Sequence, residues 1–225
     1  MTTSLQAPSP VRPPPIQAAD RFDGDISEIF ELQDRLTESV VTALQLTLLL
    51  AEIARPKRKS PTKFDAYDLL LRAQQLEYEY TAPSLSLAIE NLRQALDIDP
   101  MYAPALALCA YCYTERRQQG WADDLAAEGD EGSRLAFRAV ELGRIDGNVL
   151  WMSAYALWNL AMDTRGATEL ANCSLVVNPN CAMAMALLGW IGACTTNTAN
   201  SLEHFRRAER LSPRDPRGWL LALFR

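Results

Sequence analysis

The chain has 225 residues, 48% of them hydrophobic and 22% charged, an ordinary composition for one or two folded soluble domains. Its formal net charge of −6 excludes the basic face of a duplex-DNA binder, and no nucleic-acid partner is expected. Five cysteines at irregular spacing form no disulfide framework, so reduced thiols and a cytoplasmic location are expected.

Residues 1–20 lack an apolar core behind a basic start, so they do not read as a secretory signal. Five prolines fall within residues 8–15, which predicts a disordered or polyproline tail. Residues 21–54 predict an amphipathic helix. Asp25 and Glu28 resemble a capping box, and Ile29, Leu32, Leu36, Val40, Leu44 and Leu48 form a long apolar stripe. The stripe widens at Leu46, Leu49, Leu50 and Ile53, so this helix needs a cover. Thr42, Gln45, Thr47 and Glu52 interrupt its most apolar part, which falls short of the roughly 20 residues of a membrane span; no membrane partner is expected. Residues 55–64 form a basic linker punctuated by Pro56 and Pro61.

From Asp65 to Arg225 the pattern is helix after helix. The first pair is expected at 67–80 and 84–97, ended by Asp99-Pro100, because a proline bars helical geometry from the residue before it. The second begins at Ala103 and reaches about Arg117. A polar, acidic loop with Trp121, Asp123, Asp124, Glu128, Asp130 and Glu131 follows, and its return helix is expected at 133–142. The third pair is expected at 149–162 and 166–177, closed by Asn178-Pro179. The fourth is expected at 182–194 and 201–211, closed by Ser212-Pro213, with a last start at 219–225. The units are therefore 67–100, 101–146, 147–179, 180–213 and a partial one at 214–225. Pro179 and Pro213 lie 34 residues apart, and Pro100 to Pro179 is 79, two such periods with 11 more. The surplus falls in the loop at 118–131.

These units resemble the tetratricopeptide repeat (TPR) family, over about 160 of the 225 residues. The fourth carries the signature best, with Leu188, Gly189, Phe205, Ala208 and Pro213. The first offers Ala88, Leu92, Ala95 and Pro100. The third offers Trp151, Ala167 and Pro179, with Tyr155 where a small residue is usual. The second is weakest, with Arg144 in place of the closing proline. The resemblance implies an all-α, right-handed α-solenoid of about four TPR helix pairs, here preceded by one long helix. Such pairs bury their apolar faces only by stacking.

A second resemblance covers residues 21–75. The run from Arg21 to Asp34, the basic linker and Asp65 to Leu69 look like a junction in certain bacterial regulators. There a TolB-like module leads into TPRs in class III adenylate or guanylate cyclases and winged-helix transcriptional regulators. The cyclase metal-binding aspartates and the winged helix have no counterpart in this sequence.

Catalytic residues are not expected. His204 is the one histidine, and a surface or edge role is expected for it. No serine has nucleophile-elbow glycines, and no Gly-rich phosphate loop occurs, so no cofactor is expected. Cys109 and Cys112 have the offset of a metal half-site without a second pair, so they read as core packing, as do Cys173, Cys181 and Cys194. The resemblance places function instead on the concave groove lined by the first helix of each pair. By register, its lining is Ala107, Tyr111 and Thr114; then Met152, Ala156 and Asn159; then Met183, Ala186, Trp190 and Ala193. These types suit a protein or peptide partner or a neighbouring domain. An equal alternative is that they simply pack against the 25–54 helix or a missing fifth unit. The function expected is that of a non-catalytic interaction scaffold; the alternative is the C-terminal regulatory portion of a cyclase or winged-helix regulator.

Overall fold

The computed structural model describes residues 63–195 and 198–212. The proline-rich tail, the helix expected at 21–54, the linker up to residue 62 and the helix start at 219–225 lie outside these residues. Helices follow one another without a strand among the described residues: α1 Lys63–Glu79, α2 Ala82–Ile98, α3 Ala103–Gln118, α4 Leu125–Leu142, α5 Gly147–Leu160, α6 Thr164–Val177, α7 Ala182–Cys194 and α8 Thr198–Leu211.

Short-range chemistry fixes the starts. Ahead of α2, the Thr81 hydroxyl accepts the Ser84 N–H at 3.2 Å while the Thr81 N–H donates to Ser84 Oγ at 3.0 Å. Two backbone donors that the helix cannot satisfy are thus covered reciprocally. Asp124, Asp146 and Asp163 do the same service for α4, α5 and α6, accepting from N–H groups two or three residues on. The α2 helix stops at Ile98, ahead of Asp99-Pro100.

The helices pack as four antiparallel pairs, α1 on α2, α3 on α4, α5 on α6 and α7 on α8. Neighbouring pairs join through α2 on α3, α3 and α4 on α5, and α6 on α7, giving an α-solenoid with one continuous apolar core. Ala88, Leu92 and Ala95 are completely buried between α2 and its neighbours. At Gly189 the packing is closest, since a Cβ there would come within 2.7 Å of the Phe205 ring.

The insertion in the second unit is where structure and sequence spacing part. The stretch 125–132, expected as acidic loop, is helical, and α4 starts at Leu125. Asp124 caps it, and Gly129, Gly132, Leu135, Ala136 and Ala139 form a buried face three and four apart, so the surplus residues lengthen the return helix. Arg116, at the end of α3, is buried and holds this extension. It donates to Glu128 at 3.0 Å, to Asp123 at 2.9 Å and to the Ser86 hydroxyl. The cysteines also divide. Cys109, Cys112 and Cys181 are buried, as core packing requires, whereas Cys173 and Cys194 are exposed and do not serve the core.

Candidate partner-binding face

The first helix of each pair carries the residues that sequence register assigns to the inner face. Two of these helices, α3 and α7, are buried on all sides over most of their length. In α7, residues 181–191 are buried without a break, three turns around the full circumference. In α3 burial runs unbroken from Ala105 to Arg116. A surface helix would show a polar side at this length.

The register residues stand as follows. Ala107, Tyr111, Thr114, Ala156 and Ala186 are fully closed to solvent, and Met152, Met183 and Trp190 are less than a tenth exposed. Asn159 is half-buried and Ala193 exposed. Only these last two are open to solvent.

An aromatic chain crosses the helices here. Tyr111 meets Trp151 edge-on at 5.4 Å between centroids and Tyr155 at 5.4 Å. Tyr155 meets Trp190 at 6.0 Å, and Trp190 meets Phe205 at 6.4 Å. Such offset and edge contacts are the favoured geometries for rings. Tyr155 replaces the small residue usual at its place, and its bulk links the second unit to the fourth.

A polar ladder runs beside the rings, across the C-terminal ends of α1, α3 and α5. The Tyr80 hydroxyl donates to the buried Glu115 carboxylate, and Gln119 Nε2 donates to Tyr80 Oη at 3.1 Å. Tyr155 donates to Gln118 Oε1 at 2.8 Å, and Gln118 Nε2 donates to Asn159 Oδ1 at 2.7 Å. Burial first, then the neighbouring Glu115 charge, pushes the Tyr80 and Tyr155 phenols well above their ordinary value. Both therefore keep their protons and act as donors. Glu77, Tyr80, Glu115 and Tyr155 belong to this face although register spacing did not single them out as lining. Leu70, Ala73, Glu77 and Tyr80 continue the same three- and four-residue spacing in the first unit, which is the signal that would have found them.

The remaining candidates lie elsewhere. Cys109 and Cys112 are buried, and burial pushes the Cys109 thiol up to about 12 and Cys112 well above its usual value. His204 is half-buried at an outer cleft that it lines with Thr164, Thr168, Leu188 and Ile191. Among the described residues no three His, Cys, Asp or Glu side chains come together as metal ligands, and no helix is long and apolar enough to cross a membrane.

No family model matches the chain. The curated protein "Putative adenylate cyclase 3" of Rhizobium meliloti (strain 1021) is 36% identical over 89 residues, 40% of this chain. That match spans 15% of the relative's own length. Among solved structures, TTC0263, a thermophilic TPR protein of Thermus thermophilus, superposes with a TM-score of 0.57 at 13% identity. The superposition covers 84% of this chain and 98% of that one. A structure of MamA reaches 0.46 at 13% identity, over 71% of this chain and 80% of that one. The chain's helix pairs and the TTC0263 superposition show the fold of a tetratricopeptide-repeat solenoid.

Proposed function

We propose that the chain is a protein-interaction module which holds a segment of a partner protein, or of a neighbouring domain, along the inner face of its solenoid. The observation that carries this reading is the rigid floor of that face: Tyr111, Tyr155 and Trp190 pack ring on ring across adjacent first helices, and the Gln118–Asn159 hydrogen bond lies beside them at a margin where Asn159 and Ala193 meet solvent. A buried aromatic floor bordered by accessible polar groups is a make-up common at protein interfaces.

A photo-crosslinking residue placed at Asn159 or Ala193, at the margin of the face, tests this in the native host. The same partner should be captured from both positions and not from Arg165 on the outer helix α6. Capture from Arg165 with equal yield, or none from the inner positions, overturns the assignment.

A second reading is favoured by the 36% identity to part of a putative adenylate cyclase. In it the chain is the regulatory portion of a bacterial nucleotide cyclase, and any cyclase activity resides in another domain. A reading frame continuing upstream into a cyclase domain supports this reading. A frame without one removes it.

A further inference from the structure

The helix α4 has two apolar sides, and the solenoid uses one of them. Leu135, Ala136 and Ala139 are buried against the rest of the fold, as the second helix of a pair requires. On the other side Phe137 is 52% exposed and Leu142 is 37% exposed, and Met101, from the turn between α2 and α3, is 64% exposed. With Arg134, Arg138 and Glu141 these three line one cleft of about 500 Å³. Gly143, just past α4, lets the neighbouring turns close on each other, since a Cβ there would come within 3.0 Å of the Ala103 Cβ. A solvated helix side needs no large apolar residue, and several gathered around a cleft mark an interaction surface.

The charges around the cleft identify its occupant. Arg134 pairs with Glu131 at 2.7 Å. Arg138 and Glu141 also lie one turn apart, yet among the described residues neither takes part in an ion pair. These two arginines and two glutamates cancel, on a chain whose net charge is −6. Two copies of an acidic chain repel each other over most of their surface, and least where the charges balance. A uniformly acidic or basic partner would leave either Glu141 or Arg138 facing its own sign. A second copy matches both, because a two-fold interface sets the same patch against itself and so demands self-complementarity.

We propose that the chain forms a two-fold dimer through this side of α4. The two α4 helices cross antiparallel at the axis, and Phe137, Leu142 and Met101 of each copy pack against the other's cleft. Arg138 of each copy reaches Glu141 of the partner subunit, so the ion pair is made twice. The apolar contact supplies the affinity, and the reciprocal charges fix register and orientation. As the second helix of its pair, α4 lies away from the inner face, so a dimer presents two inner faces to one assembly and gains avidity. That consequence rests on the interaction reading above; the dimer itself does not.

Sedimentation velocity of the full chain over a concentration series tests the proposal. A reversible species of twice the 25.1 kDa chain mass should appear. Phe137→Ser, at an exposed position, should weaken association at least about tenfold. Arg138→Glu should do the same by setting like charges together. Arg138→Glu/Glu141→Arg should restore most of the loss, because the ion pairs re-form with their signs reversed. Arg165→Glu, on α6, should leave the dimer unchanged. If Phe137→Ser loses its helical circular dichroism, the charge reversal and its rescue carry the test alone. A chain that stays monomeric at every concentration overturns the proposal, and co-pelleting with phosphatidylserine vesicles would then assign the cleft to a lipid surface. A dimer indifferent to Phe137→Ser and Arg138→Glu, or a charge swap that restores nothing, overturns it as well and moves the contact to another face.

Discussion

Gly189 shows how tightly single atoms are specified. A Cβ there would press on three atoms of the Phe205 ring at 2.7 to 2.9 Å, and that ring is itself backed by Trp190. Overpacking of this kind costs about 1–3 kcal/mol, against roughly 1 kcal/mol regained from helix propensity. Gly189→Ala should therefore destabilise by up to about 2 kcal/mol in urea unfolding, and Phe205→Leu should recover part of any loss. At Gly132 a Cβ would meet the free end of the half-buried Leu160 side chain, which can swing away, and the Cβ of buried Tyr113 at 3.2 Å, which cannot. Gly132→Ala should therefore destabilise by about 1 kcal/mol. Alkali acts on single residues too. Burial raises the Cys109 thiol from 9.0 to about 12, and burial with the Asp99 and Asp146 charges raises the Tyr102 phenol from 10.0 to about 12. The folded chain keeps these protons where the unfolded chain has lost them, so their contribution is whole below pH ~9 and fades up to pH ~12. The thermal midpoint should fall across that window, and more gently in Cys109→Ala. Gly189 and Phe205 were legible from sequence as signature positions of one unit, and the structure brings them into contact. The exposure of Cys173 and Cys194 was not legible, because a small residue type satisfies a buried and an open position alike.

At the scale of elements, the join between α3 and α4 bears most of the second unit's irregularity. Arg116 is buried with Glu128, whose side chain is 14% exposed, while Asp123 beside it is open to water. Arg116→Ala would leave the Glu128 carboxylate without its cation in a buried place, a loss of about 3 kcal/mol. Hydrogen exchange should show it as early opening of α4 over 125–132, ahead of the other pairs. Burial works to raise the Glu128 carboxyl, but the Arg116 guanidinium and the Asp123 N–H overturn that and hold it below its usual range. This contribution is present at neutral pH and is lost as the pH falls through the lowered value, where the unfolded chain already binds the proton. The other helix pairs could be read from proline punctuation and three- and four-residue spacing, with ends shifted by a few residues. The start of α4 could not. Its glycines and acids have the composition of a loop, and only the tertiary contacts of Gly129 and Gly132 show why small residues are needed there.

For the whole molecule, register singles out one side of each first helix as lining but cannot show whether that side is open. Periodicity reports that a face is apolar; what covers it is a long-range fact. The ten residues assigned to the groove turn out mostly closed, and the polar ladder from Tyr80 to Asn159 adds hydrogen-bonding groups that spacing alone passed over. The most direct measurement is the dissociation constant of the partner captured at Asn159 and Ala193, taken by titration calorimetry with the parent chain and with Asn159→Arg/Ala193→Arg. The account predicts at least about tenfold weaker binding to the variant, because two bulky cations stand at the margin of the face. Unchanged binding would mean that the partner sits on another surface and would contradict the account.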